Sequence, residues 1–197
     1  MFISFEGLDG CGKTTQVQML QQALEAEGRS VTRVREPGGT DVGERIRDLL
    51  LDPQTVVGPW SEALLYAAAR AQLVEAVIRP ALDRGAVVVA DRFVDSSLAY
   101  QGCARGLGID EVLSVNLNAT GGLLPDRTIL LELPAAAAAE RLRGAPDRIE
   151  AEDAEFHSRV AQGFERAAER FPDRVVRVDA AGTPAEVAAR VRAEVSL

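Results

Sequence analysis

Five short apolar runs punctuate the chain, each followed or preceded by a stretch of helical periodicity. Phe2-Ile-Ser-Phe5, Val31–Arg35, Ala86–Ala90, Thr128–Leu133 and Val175–Val178 read as strands. The run at 86–90 is continuously apolar between Gly85 and Asp91, the pattern of a strand buried on both faces. Between the strands, Val17, Leu20 and Leu24 recur at helical spacing over Gln16–Ala26. Val42–Leu51 has the same periodicity and ends at Asp52-Pro53. Ser61–Arg84 is a longer helical stretch, with Ser61 as its N-cap and Pro80 expected to kink or shorten it. Ala135–Arg143 and Asp153–Arg170 follow, and Thr183-Pro184-x-Glu186 opens a last helix with a capping box and a proline at its first position. Strands alternating with helices predict an α/β fold: a five-stranded parallel sheet flanked by helices, with its loops gathered at the carboxyl ends of the strands. No repeat and no Pro-, Gly- or Ser-rich linker divides the chain, so residues 1–197 form one domain.

Composition narrows the chemistry more than the fold. At 47% hydrophobic and 26% charged, the 197-residue chain has an ordinary globular balance. Two cysteines without CxxC spacing argue against a disulfide framework or a zinc site, and the single histidine, His157, excludes multi-histidine metal centres. A net charge of −8 speaks against a nucleic-acid partner held by a broad basic surface. The N-terminus lacks a basic region leading into an apolar stretch, and no run reaches 18 apolar residues, so no membrane anchor is expected and the location reads as cytoplasmic.

Of 22 basic residues only Lys13 is a lysine, and it stands in Gly7-Leu-Asp-Gly-Cys-Gly-Lys-Thr14. That is G-x-x-x-x-G-K-[ST], between a strand and a helix, where backbone N–H groups and a helix N-terminus converge on phosphate oxygens. Gly7, Leu8, Asp9, Gly10, Cys11, Gly12, Lys13, Thr14 and Thr15 are therefore assigned to a nucleoside triphosphate, read as ATP. The dinucleotide fingerprint fails, because Thr15 stands where its third glycine is required. The loop alone leaves an ATPase, a GTPase, a kinase or a nucleotide-binding regulator open. A guanine-reading N-K-x-D segment cannot exist with one lysine already used, and the modest length favours a small kinase. Asp91-Arg92-Phe93 leaves the third strand beside the loop. Asp91 is placed to share a metal with Thr14, and Arg92 to clamp an acceptor phosphate.

Further segments resemble the bacterial thymidylate kinases, a family of P-loop nucleoside monophosphate kinases. Glu36-Pro-Gly-Gly-Thr40, Tyr66-Ala-Ala-Ala-Arg70, Asp91-Arg92-Phe93 with Ser96/Ser97, Tyr100-Gln101-Gly102 and Asp147-Arg148-Ile-Glu150 occur in the family's order through essentially the whole chain. The resemblance implies transfer of the γ-phosphate of ATP to dTMP for dTTP synthesis, dependence on Mg²⁺, a homodimer, and a small mobile lid, placed here at residues 141–153. It implies that Lys13 bridges the β- and γ-phosphates and that Tyr66 stacks on thymine while Arg70 donates to O4. Ser97 and Gln101 then complete the base-edge contacts, Tyr100 packs near the sugar's 2′ carbon, and Asp9 accepts from the 3′-hydroxyl. Glu36 serves the metal–phosphate region, and Arg47 and Arg92 hold the acceptor phosphate. Asp9 stands where some members carry a loop arginine, so the transition-state arginine is expected from the lid, as Arg143 first and Arg148 second. Another small P-loop kinase, acting on a different nucleotide or metabolite, is the alternative.

Overall fold

The computed structural model describes residues 1–142 and 145–195. Strands β1 (Phe2–Glu6), β2 (Val31–Arg35), β3 (Val87–Asp91), β4 (Arg127–Glu132) and β5 (Val175–Asp179) form one sheet in the order β2-β3-β1-β4-β5. All four pairings are parallel. Period-two alternation along β3 explains its unbroken apolar run: Val88 and Ala90 enter one core with Phe2, Leu73 and Phe93, while Val87 and Val89 enter the other with Ile3, Phe5, Leu20 and Leu24. With both faces covered, ligands can approach only at the strand ends.

Helix α1 (Lys13–Ala26) packs behind the phosphate loop, against α9 (Pro184–Glu194). Thr183 and Glu186 form the expected capping box of α9. Helix α2 (Asp41–Leu51) starts at Thr40, whose side chain accepts from the Gly43 N–H, and α8 (Ala154–Arg170) starts at Asp153, which accepts from Phe156 N–H. The long central helix differs in detail from its sequence reading. Gly58, not Ser61, is the N-cap, and α3 runs Pro59–Leu73. A π-helical stretch (Val74–Ile78) then leads into the short α4 (Arg79–Asp83). Pro80 has no N–H to offer Ala76, and the wider turn just ahead of it absorbs the missing bond without breaking the helix.

Two further differences bear on the site. The stretch after β3, left unassigned by periodicity, is helical: α5 (Val94–Ser97), a second π-helical segment (Leu98–Ala104), and α6 (Ile109–Thr120). From Val94 to Ala104 its residues are buried nearly throughout, so no polar face marks that part as amphipathic. Of the helix expected over Ala135–Arg143, the described residues form only α7 (Ala135–Ala139).

Helix α8 seats the π-helical segment that carries Tyr100 and Gln101, and the close approach is made at Gly163. A Cβ there would stand 2.6 Å from the Ala99 Cα and 2.9 Å from its carbonyl oxygen. Backbone cannot yield as a side chain can, so overpacking outweighs alanine's better helix propensity. Gly163→Ala is expected to lower stability by about 1–3 kcal/mol in urea denaturation; unchanged or raised stability would show that the two elements separate freely.

Candidate active site

The carboxyl ends of β1, β2 and β3 open into one cavity of about 820 Å³. The phosphate loop follows β1. Gly12 is the left-handed N-cap of α1 (φ 98°), and Gly10 (φ 83°) lies so close to α7 that a Cβ would meet the Ala138 carbonyl oxygen at 2.1 Å. Side chains would therefore spoil the loop at both positions. Lys13 is folded over the loop it follows. Its Nζ donates to the Leu8 and Gly7 carbonyls at 2.8 and 3.1 Å and lies 3.7 Å from Asp9. Cys11 is buried in the loop and lines the cavity.

Thr14 and Asp91 are brought together as expected, with the Thr14 hydroxyl donating to Asp91 Oδ2 at 2.5 Å. Among the described residues no group of three or more His, Cys, Asp or Glu side chains gathers as a metal cage. One hydroxyl and one carboxylate beside a phosphate loop nevertheless suit Mg²⁺, which keeps several waters and takes phosphate oxygens as further ligands.

Arg92 follows directly, in a left-handed conformation unusual for a side-chain-bearing residue (φ 71°). Neighbouring bonds hold it there: Arg92 N–H donates to the Phe5 carbonyl at 3.0 Å, Phe93 N–H to Glu6 Oε1 at 2.7 Å, and the Ser96 hydroxyl to Glu6 Oε2 at 2.5 Å. The guanidinium then points into the loop, donating to Asp9 at 2.6 Å, Ser96 at 2.8 Å and the Gly7 carbonyl at 3.2 Å, over the Tyr100 ring. Tyr100 also donates to Asp9, at 3.0 Å. Burial alone would raise the Asp9 pKa, but Arg92 and Lys13 outweigh it and hold the carboxyl well below the usual range.

A second ion pair lies deeper. Arg70 is 1% exposed, and each of its five N–H groups finds a protein acceptor: both Glu36 oxygens, the Phe93 carbonyl, Ser97 and Asn116. Glu36, assigned from sequence to the metal–phosphate region, is thus paired with the Arg70 guanidinium. Ser97 lines the cavity, so a base carbonyl reaching Arg70 would replace the Ser97 bond. Tyr66 and Arg47 line the same cavity. The Tyr66 phenol is pushed up by burial and by Glu62, and Arg47 Nη1 donates to the Pro37 carbonyl at 3.0 Å.

The arginines between 141 and 148 divide. Arg141 lines the cavity, whereas Arg143 lies outside the described residues. Arg148 is turned into the body: its Nη1 meets Glu62 at 2.8 Å, its Nε donates to the Leu50 carbonyl at 2.7 Å, and its backbone N–H to Leu51 at 3.1 Å. A guanidinium so tied is not placed on a transferring phosphoryl group. Gln101 is bonded to the same Glu62. Sequence reading missed Glu6, Glu62, Asn116, and the far end of the cavity, where Gln16, Ala180, Gly182, Pro184 and Val187 line a largely apolar wall. Two signals existed: Glu6 is an acid ending an apolar strand, and Glu62 stands one helical turn before Tyr66.

Comparison with known proteins agrees with this geometry. A family model described as thymidylate kinase matches residues 5–191. The chain is 51% identical over 179 residues to a thymidylate kinase of Caldanaerobacter subterraneus subsp. tengcongensis, covering 90% of this chain and 86% of that one. It is 48% identical over 198 residues to a thymidylate kinase of Deinococcus radiodurans, covering 100% and 96%. The crystal structure of thymidylate kinase from Ehrlichia chaffeensis superposes with a TM-score of 0.80 at 32% identity, covering 98% of this chain and 97% of that one.

The Arg92 turn gives the site a titration of its own. Burial, aided by the Asp95 charge, pushes the Glu6 carboxyl from 4.5 to about 8. Because the folded-state pKa lies above the unfolded one, the folded chain binds the proton more tightly, and stability falls as pH rises from about 4.5 to 8. Glu6→Gln keeps the shape and removes that proton. Its stability relative to the parent is expected to rise with pH across this window, by at most about 1.4 kcal/mol per pH unit. Parallel urea-denaturation curves at pH 5, 6.5 and 8 would show that Glu6 does not hold its proton.

Proposed function

The chain belongs to the thymidylate kinase family, and from that premise we propose how its residues transfer the γ-phosphate of ATP to dTMP, giving dTDP and ADP. The observation that carries the reading is that the phosphate loop, Arg92 and the Tyr66/Arg70/Gln101 wall open into one cavity. ATP lies with its phosphates on Gly7–Thr14 and its base toward Ala180–Pro184. Lys13 exchanges the loop carbonyls it now holds for β- and γ-phosphate oxygens, so its charge reaches the transferring group without leaving the loop. Mg²⁺, when bound by Thr14 and Asp91, supplies charge neutralisation between the phosphates.

On the acceptor side, Tyr66 stacks on thymine, Arg70 and Ser97 meet O4, and Gln101 meets the ring N3–H. Arg92 and Arg47 hold the dTMP phosphate, and Asp9 accepts from the 3′-hydroxyl. Tyr100, itself bonded to Asp9, crowds the 2′ carbon and disfavours a ribose hydroxyl there. The attacking phosphate oxygen is already ionised near neutral pH, so the reaction asks for alignment and charge, not a general base. We assign charge stabilisation in the transition state to Arg143 of the lid at 141–153, with Arg141, which lines the cavity, beside it in sequence and Arg148 as an anchor. Both nucleotides belong to the cytoplasm, where we place the enzyme. Among the described residues no helix is long and apolar enough to cross a membrane.

Val42 and Leu49 on α2, and Trp60 and Leu64 on the neighbouring α3, are exposed apolar side chains. We assign this face to a second copy of the chain, in line with the dimer that the resemblance implies. Leu64→Glu is expected to convert dimer to monomer in sedimentation velocity; an unchanged dimer would place the interface elsewhere.

The activity is tested by ADP release with ATP and Mg²⁺ against dTMP, dUMP, dCMP, dGMP and UMP. dTMP is expected to exceed UMP by at least about 100-fold in kcat/KM, and turnover of another monophosphate in its place would remove the thymine pocket. Lys13→Ala is expected to lower kcat by about 10²–10³ with the fold intact by circular dichroism. Near-normal turnover would assign the phosphate contact to another residue.

A further inference from the structure

We infer that Glu62 is a positioning residue for base selection, which fixes the Gln101 amide so that its carbonyl oxygen faces the acceptor-base pocket. The inference rests on the thymidylate-binding reading above and adds to it the group that sets the polarity of the pocket wall. Glu62 is wholly buried on α3, one turn before Tyr66 and two before Arg70. Its Oε1 accepts from Gln101 Nε2 at 2.9 Å and from Arg105 Nε at 3.1 Å. Its Oε2 accepts from Arg105 Nη2 at 3.0 Å and lies 2.8 Å from Arg148 Nη1.

The chemistry follows from that list of partners. Burial opposes a charge on Glu62, but bonds from Arg105, Gln101 and Arg148 outweigh it and hold the carboxyl ionised. An ionised carboxylate has no proton to give. Only the amino end of an amide can face it, so the Gln101 oxygen is turned to the cavity that Gln101 lines. A wall presenting an acceptor suits a base whose ring nitrogen carries hydrogen, as in thymine and uracil. Cytosine presents a lone pair at that position, which would confront the amide oxygen.

The same carboxylate also ties down the segment that covers the base. Arg105 is paired with Glu152 at 2.6 Å and lies over the Phe156 ring, while Arg148 is bonded to Leu50. Between these two anchors stands Ile149, which lines the cavity. Loss of Glu62 therefore frees the amide to turn over and loosens the hold on Ile149.

The test is selectivity read in a double-variant cycle, which separates the amide from loosened packing. The ratio of kcat/KM for dTMP over dCMP is measured for the parent, Glu62→Gln, Gln101→Ala and the double variant. In Glu62→Gln the amide oxygen is drawn to Arg105 and Arg148 on the Oε2 side, so the NH2 faces Gln101, and the ratio is expected to fall at least tenfold. In the Gln101→Ala background the same substitution is expected to leave the ratio unchanged. A full ratio in Glu62→Gln, or an equal fall in both backgrounds, overturns the role of Glu62. A parent that does not prefer dTMP over dCMP overturns the pocket reading, and this inference with it. Should Glu62→Gln fail to fold, Glu62→Asp keeps the charge between the two arginines but withdraws the oxygen from Gln101. The same fall is expected, and an unchanged ratio overturns the proposal.

Discussion

The ion pair between Asp9 and Arg92 joins the two halves on which everything else depends. Asp9 belongs to the loop after β1, and Arg92 to the turn after β3. Neighbouring strands in a parallel sheet place their carboxyl ends side by side, so a pair formed there fixes loop against turn. Arg92 adopts a backbone conformation that costs a non-glycine residue about 1–3 kcal/mol. Glu6, bonded to Phe93 N–H and Ser96, offsets that cost from within the same strand end.

Six cations in and around the cavity are each held by a carboxylate of the chain. Asp9 serves Lys13 and Arg92, Glu36 serves Arg70, Glu44 serves Arg35, and Glu62 serves Arg105 and Arg148. Buried ion pairs of this kind add little net stability, because desolvation consumes most of the Coulomb gain. What they supply is direction: guanidinium and ammonium groups stand aimed before any ligand arrives, which is how polar sites stabilise developing charge.

Identical side chains take opposite charge states according to their partners. Glu62 is fully buried yet ionised, since two arginines and an amide donate to it. Glu6 is as deeply buried but lies near Asp95 and receives only neutral donors directly, so it holds its proton to about pH 8. The first can only accept hydrogen bonds, and the second fixes a turn without adding a charge to it.

The sheet, the phosphate loop and the capping box of the last helix were legible in the sequence because each is a local pattern. Periodicity, a glycine–lysine spacing and a capping box are complete within a few residues. Resemblance to a family added Tyr66, Arg70, Ser97, Tyr100 and Gln101, which the structure brings to one cavity although they lie on separate helical segments. What the sequence did not disclose depends on partners distant along the chain. That Glu36 holds Arg70, that Arg148 turns inward to Glu62, and that Gln101 presents its oxygen are outcomes of pairing across 34, 86 and 39 residues respectively. The helical stretch from Val94 to Ala104 escaped for a related reason: buried almost throughout, it shows no polar face from which a period can be read. Local sequence determines which groups are available, and only the packed sheet and its helices decide which charge meets which.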